Sequence, residues 1–249
     1  MKNEKKIYFV SDAHLGLPSY KASRNREKKL VKWLDMVKHD AEEIYMMGDI
    51  FDFWWEYKRV VPRGFTRLLG KMAEITDSGI PIHFFVGNHD VWVFDYLPEE
   101  TGIIVHKKPV ETEFNGKSFF LAHGDGLGKG QFTYSIIKFA FHNKILQWLF
   151  ARLHPNFAMW LGNKWSVSSR DMKGITIPFL GKEKEHLYQF AKETLKTKHF
   201  DYFVFGHRHL MIDMEIGKNT RYINLGEWIQ NFSYGIFNGD KFELRRFND

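Results

Sequence analysis

The chain has no cysteine among its 249 residues and no long uninterrupted apolar run. The absence of cysteine excludes disulfide bonds, thiolate metal sites and iron–sulfur clusters, and it fits a protein of the reducing cytoplasm. No stretch approaches the ~18 consecutive apolar residues that a transmembrane helix needs. After the basic segment 1–6, the first apolar run covers only Ile7–Val10, which is too short for the core of a signal peptide. We therefore expect a cytoplasmic location.

The charge balance is basic, with a formal net charge of +6. A cationic protein favours an anionic partner, such as a phosphate ester, a nucleotide, an anionic membrane surface or a nucleic acid. Lysine and arginine are spread along the chain without a helix-turn-helix or RNA-binding signature, which argues against nucleic acid. The length allows one large domain, or one domain with an insert. The oligomeric state cannot be read from the sequence.

Five short motifs rich in Asp, Asn and His each follow an apolar run that is typical of a β-strand. The runs are Ile7–Val10, Ile44–Met47, Ile82–Val86, Ser118–Leu121 and Tyr202–Phe205. The motifs that follow them are Ser11–His14, Gly48–Asp52, Gly87–Asp90, Ala122–Asp125 and Gly206–His209. Ligands of open α/β sheets bind where strands end together, so this register predicts one functional site at the strand ends.

The side chains of these motifs are of the types that bind metal ions in proteins. Oxygen donors come from Asp12, Asp49 and Asn88, and imidazole donors come from His14, His123, His207 and His209. Such a mixed set suits Mn²⁺, Fe²⁺ or Zn²⁺. Seven ligands are too many for one tetrahedral zinc, so two metals that share a carboxylate fit better. Any single motif could instead be a helix cap or a turn, but the five together are not explained in that way.

In these motifs the chain resembles the calcineurin-like metallophosphoesterases, whose pattern is D-x-H, G-D-x-x-D, G-N-H-D/E, a lone H and G-H-x-H. The resemblance implies one metal held by Asp12, His14, Asp49 and His209. It implies a second metal held by Asp49, Asn88, His123 and His207. Asp49 would bridge two divalent ions, of which manganese is favoured and iron or zinc remains open. Two such ions clamp the oxygens of an in-line phosphoryl displacement and lower the pKa of water. His89 and Asp90 are the candidate catalytic pair, with His89 as general acid and Asp90 orienting its ring.

The rest of the sequence predicts an α/β fold. Apolar residues recur at helical spacing over Arg24–Val37 and Phe65–Ile75. Strands are expected over Arg221–Asn224 and Gly235–Phe247, with a hairpin turn at Asn238-Gly239. We expect a metallophosphoesterase-type β-sandwich flanked by helices, formed by residues 1–126 and 181–249, with a helical insert over 127–180.

The segment 127–180, called the lid below, is dense in aromatic residues with interleaved Lys and Arg. It could be a helical insert packed on its own partner helix, because aromatic stripes are most often core. It could instead bind acyl chains and rest on a membrane, with cations facing anionic lipid. Its start beside the motif Ala122–Asp125 favours the second interpretation. The candidate substrate-binding residues are Asn88, Asp125, Tyr134, Trp148, Phe150, Trp160 and Arg170.

The lid makes the chain similar to one branch of the family, the UDP-2,3-diacylglucosamine pyrophosphohydrolases of lipid A synthesis. The shared features are His123–Asp125 followed by the insert, Trp54-Trp55, and Leu225–Trp228. The resemblance implies attack on the α-phosphate of a lipid-linked nucleotide sugar, with UMP and 2,3-diacylglucosamine 1-phosphate as products. It also implies peripheral attachment to the cytoplasmic face of a Gram-negative inner membrane.

One residue departs from that branch. The best-known members carry Arg where this chain has His89. Because histidine can also protonate an alkoxide leaving group, a soluble nucleotide or phosphodiester hydrolase with the same metal centre is an alternative. An inactive scaffold that binds partners would lack ligands, and here none is missing.

Overall fold

The computed structural model describes residues 5–128, 132–171, 178–179 and 181–248, with side chains for all of these except 132–136 and 168–171. The helices are α1 (Tyr20–Val37), α2 (Thr66–Asp77), α3 (Tyr96–Thr101), α4 (Phe132–His142), α5 (Lys144–Phe150), α6 (Pro155–Asp171) and α7 (His186–Thr194). The strands are β1 (Lys6–Val10), β2 (Ala41–Met46), β3 (Ile82–Phe85), β4 (Ile104–His106), β5 (Val110–Phe114), β6 (Lys117–Ala122), β7 (Tyr202–Phe205), β8 (Met211–Glu215), β9 (Arg221–Leu225), β10 (Ser233–Phe237) and β11 (Phe242–Arg246).

The strands form two sheets. One has the order β11-β10-β1-β2-β3-β4, and the other has the order β5-β6-β7-β9-β8. Strands β1 to β4 pair in parallel, and so do β6, β7 and β9. The chain enters its five motifs from the carboxyl ends of β1, β2, β3, β6 and β7. The motifs of each sheet therefore lie together at the carboxyl ends of its parallel strands.

Aromatic side chains fill the space between the sheets. The ring centroid of Phe119 lies 4.6 Å from that of Tyr202 in the same sheet and 5.0 Å from that of Phe237 in the other sheet. The ring of Phe9, also in the other sheet, stacks on Phe119. Helices α1 to α3 cover the outer face of the six-stranded sheet, and α7 covers that of the five-stranded sheet. The predicted β-sandwich flanked by helices is confirmed.

The predicted helices form, with shifted ends. Helix α1 begins at Tyr20 rather than Arg24 because the Ser19 side chain caps it and accepts a hydrogen bond from the Ala22 amide. Its apolar face is buried at Leu30, Leu34 and Val37, as the spacing predicts. The hairpin also forms, with strands β10 and β11 on either side of Asn238-Gly239. Strands β4, β5 and β8 and helices α3 and α7 were not predicted, and all of them are short, with three to nine residues each.

Helices α4 to α6 fall inside the lid. They meet the sandwich at an aromatic cluster of Phe53, Trp55 and Trp92, against which Phe141 and Phe150 pack. The Trp92 indole donates a hydrogen bond to the Phe141 carbonyl at 3.0 Å. In the described part of the chain, no helix is both long and apolar enough to cross a membrane. The division into a core and a lid at residues 127 and 180 stays a prediction.

The inter-sheet aromatic cluster should dominate the stability of the sandwich. Phe119 is completely buried, and Phe119→Ala should lower the free energy of unfolding by about 3–5 kcal/mol because it leaves a cavity. Phe139, which is 70% exposed, provides a matched Phe→Ala control with an expected change within about 0.5 kcal/mol. Chemical denaturation measures both. Equal losses in the two variants would contradict the placement of the core.

Candidate metal centre

The loops that follow the five strands place the predicted ligands in two adjoining clusters. The first contains Asp12, His14 and His209. The Nε2 atoms of His14 and His209 lie 3.1 Å apart, and His209 Nε2 lies 3.1 Å from Asp12 Oδ1. These three side chains come from the loops that follow β1 and β7, which belong to different sheets.

The second cluster contains Asp49, His123 and His207. Asp49 Oδ2 lies 3.3 Å from His123 Nε2 and 3.8 Å from His14 Nε2, so one carboxylate oxygen faces both clusters. Asn88 follows β3, and its Oδ1 atom is buried with no hydrogen-bond partner in the described part of the chain. A buried amide oxygen without a partner is costly unless something else binds it. The donor set therefore fits two cations that share Asp49.

Backbone conformation directs these side chains toward each other. Five of the ligand candidates have positive φ angles: Asp12 (54°), His14 (42°), Asp49 (53°), His207 (68°) and His209 (54°). Residues other than glycine rarely adopt this left-handed conformation, which costs of order 1–3 kcal/mol each. Backbone hydrogen bonds between the loops hold this conformation. In one of them, the Asp12 amide donates to the Gly48 carbonyl at 3.0 Å. Strain concentrated at these positions is typical of a functional site.

Two motif glycines are required by close approach. A Cβ atom on Gly48, whose φ is 94°, would lie 2.5 Å from His123 Nδ1. A Cβ atom on Gly87 would overlap the carboxylate of Asp49. Ligand side chains from neighbouring loops thus lie directly over the backbone of these glycines. The motifs need glycine there so that the loops can pack together.

Hydrogen bonds that Nδ1 donates orient two of the imidazoles. His123 Nδ1 donates to the Met47 carbonyl at 2.8 Å, and His14 Nδ1 donates to Asp52 Oδ1 at 3.3 Å. In both rings Nε2 then faces the carboxylates of the clusters. Partners of this kind fix the ring and its tautomer in metal sites. Asp52 was missed as a site residue, although it is the second aspartate of the G-D-x-x-D pattern.

His89 lies at the edge of the clusters. One of its ring nitrogens is within 4.8 Å of ligand atoms of His14 and Asp49. Its Nδ1 donates to the Asp52 carbonyl at 2.9 Å and is 2.9 Å from the hydroxyl of Ser166 on α6. Ser166 was also missed, because nothing in its local sequence distinguishes it.

The expected role of Asp90 needs correction. Its carboxylate does not orient the His89 ring, since it accepts hydrogen bonds from backbone amides instead. The donors are the amides of Gly87 at 2.7 Å, Ile50 at 2.9 Å, Phe51 at 3.3 Å and Asp49 at 3.4 Å. Asp90 therefore holds the loop that carries Asp49. The backbone amides of these two loops offer four donors to the Asp90 carboxylate, which therefore faces them and not the His89 ring.

Burial and neighbouring charges shift the pKa values of the imidazoles in opposite directions. Burial alone would lower the pKa of His14, but its hydrogen bonds to Asp12 and Asp52 and the charge of Asp49 raise that pKa to about 9. Burial and the charge of His123 lower the pKa of His207 to about 3. Without a cation, protons on His14 therefore compensate the buried carboxylates. Such a site attracts cations, and cation binding must displace protons.

The predicted substrate-binding residues divide into groups. Phe150 lines an apolar cavity of about 360 Å³ between the lid and the sandwich. Trp148 and Trp160 face outward and are 56% and 54% exposed. Asp125 lies in a groove beside His123, with Lys138 Nζ at 3.3 Å. The side chains of Tyr134 and Arg170 lie outside the described residues.

Known proteins are similar to this chain over nearly its whole length. A model of the calcineurin-like phosphoesterase family matches residues 5–211. The chain is 42% identical to a UDP-2,3-diacylglucosamine hydrolase from Porphyromonas gingivalis over 258 residues, which cover 98% of each chain. It is 26% identical to a protein of the same name from Vibrio parahaemolyticus, over 95% of this chain and 96% of that one. With its five motifs assembled at the strand ends, the chain belongs to the calcineurin-like phosphoesterases, a family of hydrolases.

Proposed function

We propose that this protein hydrolyses the pyrophosphate of UDP-2,3-diacylglucosamine and releases UMP and 2,3-diacylglucosamine 1-phosphate. The observation that carries the proposal is an apolar cavity between the lid and the sandwich, one of whose lining residues, Trp165, lies next to His89. Two relatives of this protein, from Porphyromonas gingivalis and Vibrio parahaemolyticus, are named UDP-2,3-diacylglucosamine hydrolase. A hydrolase of small soluble esters has no need of such a cavity.

The metal ligands are assigned as the two clusters suggest. Asp12, His14, Asp49 and His209 would hold one ion, and Asp49, Asn88, His123 and His207 would hold the other. Bound divalent ions would stabilise charge on the phosphoryl group and lower the pKa of water in the site. Manganese suits a set of carboxylate, amide and imidazole donors without thiolate, with iron or zinc as the other candidates.

The apolar cavity is the proposed site of the acyl chains. It is lined by aromatic side chains from both sides, namely Phe53, Trp55 and Trp92 from the sandwich and Phe141, Phe150 and Trp165 from the lid. Its volume of about 360 Å³ is in the range of small-molecule sites. Each buried methylene contributes about 0.8 kcal/mol, so a few of them would dominate the affinity.

Trp165 and His89 connect the wall of the cavity to the metal centre. The ring centroid of Trp165, which lines the cavity, is 5.9 Å from that of His89. A lipid held there would place its sugar phosphate next to His89 and the scissile anhydride over the clusters. His89 would then donate a hydrogen bond to the leaving phosphate. A sugar phosphate is a stable anion, so charge at this position matters more than proton transfer.

The outer surface of the lid is the proposed membrane contact. Its large apolar side chains are exposed: Phe139, Ile145, Trp148, Leu149, Phe157 and Trp160. Cations lie among them, with the Arg152 guanidinium 4.7 Å from the Trp148 ring centroid and Lys164 Nζ 5.1 Å from that of Trp160. Aromatic and cationic side chains together favour the interface of an anionic bilayer. We place the protein peripherally on the cytoplasmic face of an inner membrane, where a diacyl substrate is embedded.

A soluble nucleotide or phosphodiester is the second candidate substrate. The observation in its favour is His89, which can protonate a poor leaving group where arginine cannot. The metal centre would be the same. The two candidates differ in whether activity depends on the apolar cavity.

Removal of the shared carboxylate should empty the centre. Wild-type protein should bind two divalent ions per chain, and Asp49→Ala should lose at least one of them with nearly all hydrolysis, because both clusters use Asp49. Elemental analysis after desalting measures the ratio. Asp213→Ala, at an exposed ion pair on β8, is the control and should keep both ions. A fully active Asp49→Ala enzyme would contradict the two-metal assignment.

The role of His89 can be read from a series of leaving groups. If His89 supplies a proton, His89→Ala should reduce the rate on the order of 10²–10⁴-fold for alkoxide leaving groups and less for good ones. If it supplies charge, the loss should be uniform, and His89→Arg should restore activity. The rates of a set of phosphodiesters, measured as a function of leaving-group pKa, distinguish these outcomes. An unchanged rate in His89→Ala would remove His89 from the mechanism.

The two faces of the lid should give different defects. Phe150→Ser should lower kcat/KM for the diacyl substrate in detergent by about 10- to 100-fold, since it removes apolar contact inside the cavity, and should spare a small soluble diester. Trp148→Ser with Trp160→Ser should instead weaken binding to anionic vesicles and leave the detergent assay almost unchanged. Vesicle sedimentation and the two assays give the comparison. Loss of diester hydrolysis in Phe150→Ser would show that the lid is structural.

A further inference from the structure

Ser166 brings a polar group of the lid into the site. It is on α6 and is completely buried. Its Oγ is 2.8 Å from Asp52 Oδ2 and 2.9 Å from His89 Nδ1. It is thus a hydroxyl from the lid that contacts two residues of the sandwich beside the metal clusters.

The acceptors among Ser166, Asp52 and His89 determine the directions of the hydrogen bonds between them. A carboxylate only accepts, so the Ser166 hydroxyl donates to Asp52. The Asp52 carbonyl also only accepts, so His89 Nδ1 carries a hydrogen. That hydrogen faces two oxygens, the Asp52 carbonyl and Ser166 Oγ. The Nδ1 edge of the His89 ring is therefore held by two oxygens, one from the sandwich and one from the lid.

The approach of α6 to the sandwich is close enough to deliver this hydroxyl. Gly162 lies one turn before Ser166, and a Cβ atom there would overlap the ring of Phe53. Trp165, the residue next to Ser166, lines the apolar cavity and packs 4.9 Å from the Phe141 ring. The residue that lines the cavity and the residue that contacts His89 are thus consecutive on one helix.

We propose that Ser166 is the positioning residue of His89, so that the lid completes the catalytic site in addition to covering the lipid. The inference rests on the role proposed above for His89 at the leaving group. Asp52 also accepts from the metal-ligand candidate His14, through its other oxygen. Loss of the Ser166 hydroxyl should therefore disturb His89 and leave the metal content intact.

The test is a double-mutant cycle of Ser166→Ala and His89→Ala on phosphodiesters of graded leaving-group pKa. Ser166→Ala should lower kcat by about 10- to 100-fold with KM unchanged, and the loss should depend on leaving-group pKa in the same way as the loss in His89→Ala. The double variant should be no slower than His89→Ala alone, because both changes remove one function. Asn163→Ala, an exposed polar side chain one turn away on α6, is the control and should match wild type.

Three results would overturn the proposal. One is full activity of Ser166→Ala, and another is a double variant whose loss is the product of the single losses. The third is a leaving-group dependence that differs from that of His89→Ala, which indicates a packing defect of the lid. Metal content and thermal midpoint are measured for each variant. If Ser166→Ala does not fold, Gly162→Ala, which lifts α6 away from Phe53, should give the same leaving-group dependence. An unaffected His89→Ala combined with a slow Ser166→Ala would reject the role of His89 itself.

Discussion

The Asp49 carboxylate is the constraint on which the other features of the site depend. One of its oxygens faces both ligand clusters, and the other accepts a hydrogen bond from the His89 amide at 2.9 Å. This position requires a left-handed backbone at Asp49, no side chain at Gly87, and the Asp90 carboxylate to hold the loop. The two sheets supply the rigid strand ends that keep the loops in place. Stability of the sandwich is therefore linked to the geometry of the centre.

Sequence predicted the parts of this arrangement that are local. The apolar runs and the motifs behind them located the five loops, and the spacing of Leu30, Leu34 and Val37 located α1. It could not predict which side chain reaches which loop. Asp90 is adjacent to His89 yet binds the loop of Asp49, and Ser166 meets Asp52 across 114 residues of chain. Such pairings follow from tertiary packing, which leaves no periodic signal in the sequence.

The lid shows the same limit in another form. Trp148, Phe150 and Trp160 have similar chemistry and were grouped as one substrate-binding set. Their positions on α5 and α6 separate them, since Phe150 faces the cavity and the two tryptophans face outward. One segment therefore has an inner surface that lines the apolar cavity, an outer surface of exposed apolar side chains, and a hydroxyl that contacts His89. The basic charge of the chain, with cations beside the exposed tryptophans of the lid, is consistent with the anionic substrate that we propose.

The most direct measurement compares UDP-2,3-diacylglucosamine with the same nucleotide sugar without acyl chains, using the metal-loaded protein and UMP release as the signal. The account predicts that UMP is released from the diacyl substrate, with kcat/KM at least about 100-fold above that for the unacylated compound, since buried methylenes contribute to binding. Equal values for both compounds, or hydrolysis of small phosphodiesters without cleavage of the diacyl substrate, would contradict it.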